Sequence, residues 1–561
     1  MEVNEKYSSI PYDYTGVQRL WDKDVTLWSD QNQKIHPIKK RLGWLDSPRW
    51  LRSQVHDLKK RISYIQDYKW KSIVLIGMGG SSLAATVLCR MAIIEKGKTG
   101  DCYFEVLDTI HPDTIRKIND RENLSETLFI VSSKSGSTIE VNALWLYIDE
   151  LLRCQGNKHR GRGQHFVAIT DPGTPLEALA YDNGFLDCFL NPSDVGGRFS
   201  ALTYYGMVPA ALLGFDVQAI LESAERQVSV SKTTAVTNNN PFNLGWEIGS
   251  QALNSKNKLT LIFSKENEPL GVWIEQLLAE STGKDGRGVV PIINEPVLNP
   301  MEYGADRFFV IIGGINSHHL VNIRDELVSN GFSVFQLDMD GSNDIGGEFF
   351  RWEFATAVAG SILGINPFDE PDVQRTKDTT ISFLDGQNNL KTKTMERYIQ
   401  KSNVILIGND FDSRKLLNAA EKINSLFKHA NLGNYVGILS WLEENNEIHE
   451  KLIFISNQVR QFLGVPVTIC SGPRYLHSTG QLHKGDSNTG KFIQIYSKPE
   501  NNPAIPSWTY GFSDLHEAQA DADFAVLTNL DRRVVRVNLQ TSVEIGLARL
   551  GDIINYALSR Q

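Results

Sequence analysis

The sequence lacks several features that would assign the chain to a specialised class of protein. No run reaches the ~18 uninterrupted apolar residues that a membrane-spanning helix needs. The first residues, MEVNEKYSS, are polar and acidic and contain no apolar segment of the kind found in secretory signals. The formal net charge is -9, and no stripe of Lys and Arg alternates with aromatic residues. We therefore expect a chain that binds neither membranes nor nucleic acid.

Cysteine is also scarce and shows no pattern. The five cysteines (Cys89, Cys102, Cys154, Cys188 and Cys470) are scattered, odd in number and free of CxxC spacing. This distribution argues against a disulfide framework and against a cysteine metal site. It favours buried thiols in a reducing cytoplasm, so the sequence predicts a cytoplasmic protein.

Short apolar runs alternate with helical segments along most of the 561 residues. Their length and β-branched content are typical of buried parallel strands, and the alternation predicts doubly wound α/β sheets. The predicted strands lie at 72–76, 103–107, 128–131, 166–169 and 187–190, then at 259–263, 289–293, 308–312 and 333–337, and finally at 404–407, 435–439, 465–469 and 492–495.

This pattern predicts four parts. They are an N-terminal helical segment (1–68), a first doubly wound parallel-sheet domain (69–232), a second such domain (241–377) and a C-terminal α/β region (378–561). The polar stretch from Ser229 to Asn240 is the predicted linker between the two sheet domains.

Two loops rich in glycine and hydroxyl groups, GMGGSSL at 77–83 and SSKSGSTIE at 132–140, each follow a strand and open a helix. Such a turn points free backbone N–H groups and a helix dipole at one spot, and glycine lets an anion approach closely. GMGG has neither the GK[ST] of a P-loop nor the third Gly of a dinucleotide fingerprint, which disfavours a nucleotide. Two such loops one βαβ unit apart resemble the sugar isomerase (SIS) domain, whose Ser and Thr side chains bind a sugar phosphate.

Two further motifs carry charged groups suited to catalysis. In DVGGRFS the glycines allow a sharp turn that aims Arg198 inward, although a solvated Arg in a surface turn is the alternative. In WIEQLLAESTGK a helix ends near Glu280 before a glycine stop. A carboxylate there that faces a cleft would have a raised pKa and would suit a general base, whereas a solvated helix-end Glu is the structural alternative.

With NPFDEPDVQRTK at 366–377, these motifs in this order resemble the glucose-6-phosphate isomerase (phosphoglucose isomerase) family, from about residue 70 to 380. The C-terminal GPRYLHSTGQLHKGDSNTG, at 472–490, resembles the isomerase half of bifunctional transaldolase/glucose-6-phosphate isomerase proteins. No stretch of the chain has the pattern of a transaldolase βα barrel. The implied fold is two doubly wound parallel-sheet SIS domains plus a C-terminal α/β region.

The resemblance implies an aldose–ketose isomerase of glycolysis and gluconeogenesis that interconverts glucose 6-phosphate and fructose 6-phosphate through a cis-enediol, with no cofactor and no metal. By that resemblance Glu280 is the base, Arg198 stabilises the enediolate and Lys377 acts in ring opening. The implied partner is a small sugar phosphate, and a homo-oligomer is compatible with the sequence. The implied substrate-binding residues are Gly80, Ser81, Ser133, Lys134, Ser135 and Thr138.

The sequence departs from the family in two places. Glu370 stands where the family has Gln, which puts a carboxylate in place of an amide at a substrate-binding position. The ring-opening His of the family is absent from the corresponding segment, YGADRF at 303–308. The nearby His318 and His319 begin a helical segment and are predicted to lie on the surface.

The C-terminal motif GPRYLHSTGQLHKG offers a replacement. Either His477 or His483 is predicted to be the ring-opening acid/base, with Gln481 and Lys484 as substrate contacts in the same loop. A metal site is less favoured there, because no carboxylate or Cys lies at ligand spacing and an enediol mechanism needs no metal.

Two other functions remain open at this stage. A non-catalytic SIS-type sugar-phosphate sensor would need the two hydroxyl-rich loops but would have no use for Glu280 and Arg198. An isomerase or aldolase of another phosphosugar would be expected to show an amidotransferase-like partner or a Schiff-base lysine, and the sequence reveals no such lysine.

Overall fold

The computed structural model describes residues 10–29, 32–97, 102–119, 124–154, 161–385 and 404–560. Its strands form three parallel sheets. In chain order the strands are β1 Ser72–Gly77, β2 Tyr103–Leu107, β3 Thr127–Ser132, β4 Phe166–Thr170, β5 Asp187–Leu190, β6 Lys258–Phe263, β7 Val290–Ile292, β8 Arg307–Ile312, β9 Val334–Leu337, β10 Val404–Gly408, β11 Tyr435–Trp441, β12 Val467–Ser471, β13 Gly490–Ser497 and β14 Arg533–Gln540.

Helices precede the first sheet and connect the strands. They are α1 Tyr14–Trp21, α2 Asn32–Lys39, α3 Ser47–Gln66, α4 Leu83–Lys96, α5 Pro112–Asn119, α6 Ile139–Cys154, α7 Pro175–Asp182, α8 Tyr204–Leu212, α9 Val217–Ser231, α10 Asn240–Leu253, α11 Gly271–Thr282, α12 His318–Ser329, α13 Ile345–Leu363, α14 Pro371–Leu384, α15 Ser413–Phe427, α16 Asn446–Leu463, α17 Gly480–Gly485, α18 Phe512–Asn529 and α19 Val543–Leu558.

The strand order of each sheet is typical of an open, doubly wound α/β fold. The first sheet runs β2-β1-β3-β4-β5, the second β7-β6-β8-β9 and the third β10-β14-β13-β11-β12, and every pair is parallel. Helices cover both faces, so central strands are buried throughout; all six residues of β3 are buried. Ligands of such sheets bind at the carboxyl ends of the strands, where the predicted phosphate loops begin.

The first two sheets share one hydrophobic core. It contains Leu75 from the first sheet, Leu261 from the second and Trp352 from α13 between them. Every residue of α13 is buried. Gly245 and Gly249 of α10 allow the close approach, because a Cβ at either position would lie under 3.0 Å from α13 atoms. Helix α13 therefore lies inside the core that the first and second sheets share.

The α/β fold class with three sheet-containing regions is confirmed, and each predicted strand overlaps an observed one. Strand β14 was not predicted. Its sequence, RVVRVNLQ, interrupts the apolar run with Arg536, which is buried in an ion pair with Asp521 at 2.8 Å and lies over the ring of Tyr496. A buried, paired Arg therefore conceals a central strand from a pattern search.

Smaller differences concern the linker and the cysteines. Helix α9 extends to Ser231, so the predicted linker begins inside a helix. All five cysteines are free thiols. Cys89 and Cys470 are buried, as predicted, but Cys102 and Cys188 are only half-buried and Cys154 is exposed. His318 and His319 are exposed at the start of α12, as predicted. Within the described residues, no helix is both long and apolar enough to cross a bilayer.

Candidate active site

The two hydroxyl-rich loops, the DVGGRFS turn and the C-terminal motif meet at the carboxyl end of the first sheet. Gly79 has φ +56, and a Cβ there would lie 2.7 Å from the carbonyl oxygen of His477. A Cβ on Gly80 would lie 2.2 Å from the carbonyl oxygen of Gly197. The GMGG sequence is therefore needed for contact with two distant segments, in addition to any approach of an anion.

The second loop presents hydroxyl groups in front of α6. The Ser133 and Thr138 hydroxyl oxygens are 3.0 Å apart, and the backbone N–H of Ser137 donates to the Ser135 hydroxyl at 3.2 Å. The ammonium of Lys134 forms an ion pair with Asp171. Because α6 begins at Ile139, its free N–H groups lie beside these hydroxyls, as in an anion site.

A cavity of about 720 Å³ opens in front of these loops. Ser133 is 2% exposed and does not line it, but supports Thr138 through the hydroxyl contact. Lys377 on α14 is exposed, and its ammonium makes no hydrogen bond or ion pair with the residues described. The predicted site residues that line this cavity together are Gly80, Ser81, Lys134, Ser135, Thr138, Arg198, Glu280, Glu370, Lys377 and His477.

Arg198 lies between two carboxylates. Its guanidinium is 3.5 Å from Oε1 of Glu280 and 3.0 Å from Oε2 of Glu370. It also donates to the Ser281 hydroxyl and to the carbonyl oxygens of Pro367 and Asp369, each at 3.1 Å. The guanidinium is thus held rigidly, with its charge directed at the carboxylates in the cavity.

The two carboxylates differ in protonation behaviour. Burial raises the pKa of Glu280 to about 6, although Arg198 acts in the opposite direction. Burial also opposes ionisation of Glu370, but the charge and hydrogen bond of Arg198 lower the pKa of that carboxyl below its ordinary value. Glu280 therefore titrates near neutrality, where a general base is most effective, and Glu370 stays ionised.

His477 reaches the cavity from the C-terminal region. Its Nε2 is 2.9 Å from Oε1 of Glu140, and the side-chain amide of Gln519 donates to the same oxygen at 2.6 Å. Burial alone would raise the pKa of Glu140, but His477 and Gln519 lower it to about 2. The contact of Nε2 with Glu140 leaves Nδ1 as the nitrogen available for proton transfer.

Gln276 connects this histidine to the buried carboxylate. Its side-chain amide nitrogen donates to the carbonyl oxygen of His477 at 2.6 Å and to Oε2 of Glu280 at 3.2 Å. Gln276 and Glu280 lie one helical turn apart on α11, so they share the face that lines the cavity.

Comparison with known proteins agrees with this arrangement. Residues 63–294 match a family model described as phosphoglucose isomerase. A glucose-6-phosphate isomerase from Campylobacter jejuni is 27% identical over 354 residues, which cover 54% of this chain and 83% of that protein. The resemblance predicted from the motifs is confirmed, and four of the five motifs lie within the matched residues.

Two solved structures share the fold. A hypothetical protein from Thermus thermophilus has a TM-score of 0.56 and 23% identity, and the match covers 66% of this chain and 97% of that one. A glucose-6-phosphate isomerase from Chlamydia trachomatis has a TM-score of 0.50 and 19% identity, covering 68% and 80%.

Three predicted residues of the C-terminal motif lie away from the active-site cavity. His483 is 1% exposed among the rings of Tyr435, Tyr475 and Phe492, and burial lowers its pKa well below the ordinary value. Lys484 forms a buried ion pair with Asp523 at 2.6 Å. These two side chains are held within the C-terminal region, so the structure does not bring them to the substrate loops.

Gln481 is also enclosed, but it connects two parts of the site. Its amide nitrogen donates to the carbonyl oxygen of Gly283 at 2.9 Å and to Asp372 at 2.8 Å, and its oxygen accepts from the Asp372 N–H at 2.9 Å. These bonds fix the end of α11, which carries Glu280, against the start of α14, which carries Lys377.

Glu140, Gln276 and Asp171 were not predicted as site residues, although each lines the cavity or supports a lining residue. One local signal existed for Glu140. A carboxylate in the first turn of the helix that follows a phosphate loop would repel the anion unless another group bound it, and the His477 ring is that partner. Gln276 and Asp171 carry no comparable signal, because their partners come from distant parts of the chain.

Within the described part of the chain, no group of three or more His, Cys, Asp or Glu side chains is arranged to hold a metal ion.

Proposed function

We propose that the protein is an isomerase that interconverts glucose 6-phosphate and fructose 6-phosphate. The observation that carries this proposal is the buried Glu280 carboxyl, with a pKa near 6, lying 3.5 Å from the Arg198 guanidinium in the cavity of the hydroxyl-rich loops. Similar proteins named glucose-6-phosphate isomerase support the same substrate pair.

The substrate phosphate would bind at the end of the first sheet. Ser81, Ser135 and Thr138 line that end of the cavity, and the first turn of α6 supplies free N–H groups. Ser133 would act through Thr138, whose hydroxyl it contacts. Since Lys134 is paired with Asp171, its contribution to phosphate binding would be smaller than that of an unpaired lysine.

Ring opening would use His477. One proton must leave the anomeric hydroxyl and one must reach the ring oxygen, so the site needs a group that can exchange protons near neutral pH. Glu140 holds Nε2 and thereby orients the ring toward the cavity with Nδ1 free. Lys377 lines the same cavity, and its unpaired ammonium would stabilise charge on the substrate oxygens.

Isomerisation itself would use Glu280. The carboxylate would remove the proton from C2 of the open-chain aldose and deliver it to C1, forming the ketose through a cis-enediol. Negative charge that develops on the substrate oxygen would be stabilised by Arg198, which several hydrogen bonds already hold in place. Gln276 would position the carboxylate by its bond to Oε2.

The alternative of a sugar-phosphate sensor is less well supported. A sugar-phosphate sensor would have no use for a general base beside the Arg198 guanidinium, whereas Glu280 and Arg198 lie together in the cavity of the hydroxyl-rich loops. For another phosphosugar, such as an amino sugar, no residue in the cavity specifically favours an amino group over a hydroxyl. The five free thiols support a reducing compartment, and we propose the cytoplasm.

The test is a coupled assay of the purified full chain with fructose 6-phosphate, in which glucose 6-phosphate is detected as it forms. We expect turnover that is equal with and without EDTA. The matched control is the Glu280→Gln variant prepared in the same way, which excludes a contaminating isomerase. Absence of turnover by the unmodified chain, or equal turnover by the variant, would contradict the proposal.

A further inference from the structure

A second cavity, of about 390 Å³, lies where the three sheets meet. We call it the junction cavity. It shares no lining residue with the active-site cavity among the described residues. Helix α11 separates the two, because Glu275 lines the junction cavity and the adjacent Gln276 lines the active site.

The junction cavity has the position of a ligand site. It lies at the carboxyl ends of β11 and β12, where Ser440 is the penultimate residue of β11 and Ser471 is the last residue of β12. These strands are neighbours in the third sheet, and open parallel sheets bind ligands at this edge. The walls are completed by α4 from the first sheet and α11 from the second, so an occupant would touch three regions.

Most charges around the junction cavity are already neutralised. Arg474 pairs with Asp108 at 2.7 Å and with Glu444 at 2.8 Å, and Glu443 pairs with Lys117 at 2.5 Å. These bonds also connect the C-terminal region to the first sheet.

Three lining groups remain unused. The carboxyl of Glu275 makes no hydrogen bond or ion pair with any described residue. The hydroxyls of Ser440 and Ser478 likewise have no hydrogen-bond partner in the described chain, although these residues are only 4% and 7% exposed. Ser440 and Ser478 are more than nine-tenths buried and Glu275 is half-buried, so these three polar groups face the junction cavity and are available to bind an occupant.

The chemistry of these groups selects the occupant. A carboxylate and two hydroxyl oxygens are hydrogen-bond acceptors, and an ammonium group carries three donors and one positive charge. Asp108 and Glu444 are paired with Arg474, and Glu443 is paired with Lys117, so within the described chain Glu275 is the acidic lining group that lacks an ion-pair partner. Arg90 is exposed, so its charge is largely screened by solvent.

We propose that the junction cavity binds a small organic ammonium compound whose charged nitrogen contacts Glu275 and the hydroxyls of Ser440 and Ser478. The proposal goes beyond the isomerase function and does not depend on it. An occupant would also contact Arg474, which shares a single helical turn with His477 of the active site.

Ionisation of Glu275 gives the proposal a distinctive signature. Burial raises the pKa of Glu275 to about 8, although Arg474 opposes this, so the empty site holds a mostly neutral carboxyl at pH 7. Contact with an ammonium favours the carboxylate, and binding should therefore release a proton. The other titratable or charged groups facing this cavity are Arg90, Asp108, Glu443, Glu444, His449, Cys470, Arg474 and Tyr475.

The experiment compares amines with alcohols of matched shape on the full chain. Cadaverine is compared with pentanediol, and tyramine with tyrosol, by ligand-observed NMR and by calorimetry in two buffers of different ionisation enthalpy at pH 7. We expect each amine to bind at least about tenfold more tightly than its alcohol and to release a proton. Fructose 6-phosphate should not displace the amines.

Two variants test whether the amines bind in the junction cavity. Glu275→Gln should weaken amine binding at least about tenfold and abolish proton release. Glu447→Gln removes an exposed carboxylate from the neighbouring helix α16, outside the cavity, and should leave both unchanged. Ser440→Ala serves as a second cavity variant should Glu275→Gln fail to fold.

Several results would overturn the proposal. They are the absence of amine binding, equal binding of amines and alcohols, displacement by fructose 6-phosphate, and unchanged amine binding in a folded Glu275→Gln or Ser440→Ala protein. The comparison of amines with alcohols uses the unmodified chain, so it tests the proposal even if no variant folds.

Discussion

The first two sheets and the C-terminal region contribute to the active-site cavity in different ways. The first two sheets supply the hydroxyl-rich loops, Arg198 and Glu280, and the phosphoglucose isomerase match covers all of these. The C-terminal region lies outside that match and supplies one turn, Arg474–His477, whose His477 lines the cavity. The residues that we propose for proton transfer and for ring opening thus come from different regions of one chain.

Within the C-terminal motif, the two histidines also differ in whether they reach the active-site cavity. His477 lies at the cavity with its Nε2 bonded to Glu140, whereas His483 is enclosed by aromatic rings, with Nδ1 unbonded. Both are histidines of one polar motif, so residue type does not separate them. What separates them is which element carries each: His477 ends a turn that contacts Gly79, and His483 lies in α17 inside the third region's core.

The largest expected effect is at Glu280, in the region covered by the family match. Glu280→Gln keeps size and hydrogen bonding but cannot accept a proton, so turnover should fall by at least ~10²-fold. In deuterated water the unmodified protein should incorporate deuterium at C1 of fructose 6-phosphate, and the variant should not. Steady-state rates and NMR of the recovered sugar measure both.

A control for this change lies close by. Glu268→Gln alters an exposed carboxylate on the turn before α11 and should leave rate and deuterium uptake unchanged. Near-normal isomerisation by a folded Glu280→Gln protein would show that Glu280 is structural, and Glu370 would be the next base to test.

The second largest effect separates the two histidines. His477→Ala should slow turnover of the cyclic substrate by about 10²-fold but leave an open-chain analogue that cannot cyclise almost unaffected. His483→Ala should instead lower the free energy of unfolding by about 2–4 kcal/mol, because it leaves a cavity in an aromatic cluster. Parallel kinetics on both substrates and urea unfolding distinguish the two outcomes.

His483→Phe is the matched control, because it fills the space with a ring and should keep activity on both substrates. Equal loss on cyclic and open-chain substrates by His477→Ala would remove His477 from ring opening. A substrate-selective loss in His483→Phe would reverse the assignment.

The division between the two regions explains what the sequence could predict. Central strands are buried on both faces, so their apolar runs are visible locally, and loops that follow them carry their own glycine and hydroxyl pattern. Arg198 and Glu280, the pair proposed to act in isomerisation, were predicted through motifs. The cavity brings both together with the predicted loop residues.

What sequence analysis missed depends on contacts between distant residues. Glu140 and His477 are 337 positions apart, and Gln276 and His477 are 201 positions apart. Neither contact leaves a periodic signal. Similarly, the polar residues Gln481 and Lys484 were predicted to contact substrate because core packing does not usually need them, but Asp372 and Asp523 satisfy them inside the fold.

A smaller effect is expected at the phosphate loop. Thr138→Ala removes one hydroxyl that donates to the phosphate in ground state and transition state alike, which should cost about 1.5–3 kcal/mol of substrate binding. The KM should rise while kcat changes little, as steady-state kinetics would show. Thr138→Ser keeps the hydroxyl and should restore most of the affinity. A normal KM with a collapsed kcat in Thr138→Ala would contradict a phosphate-binding role.

The smallest expected effect is a shift in the pH profile of kcat/KM. This shift is the sharpest test of Glu370, which stands where the family that the sequence resembles has Gln. The base must be ionised to act, so kcat/KM should fall as pH drops below about 6, the pKa of Glu280. Glu370→Gln restores the amide found in the family and removes a negative charge that raises the pKa of Glu280. The substitution also removes the ion pair between Glu370 and Arg198, so the Arg198 guanidinium can interact more strongly with Glu280. Both changes favour the carboxylate, so the acid limb of kcat/KM should move to lower pH.

The position of this limb is independent of how fast the variant turns over, so a partial loss of rate does not obscure the result. Glu302→Gln, an exposed carboxylate outside the cavity, should leave the limb in place. An unchanged limb in Glu370→Gln would mean that Glu370 does not act electrostatically on the base. A limb moved to higher pH would mean that Arg198 needs Glu370 to hold it near Glu280, because loss of the guanidinium would leave burial to raise the pKa of Glu280 further.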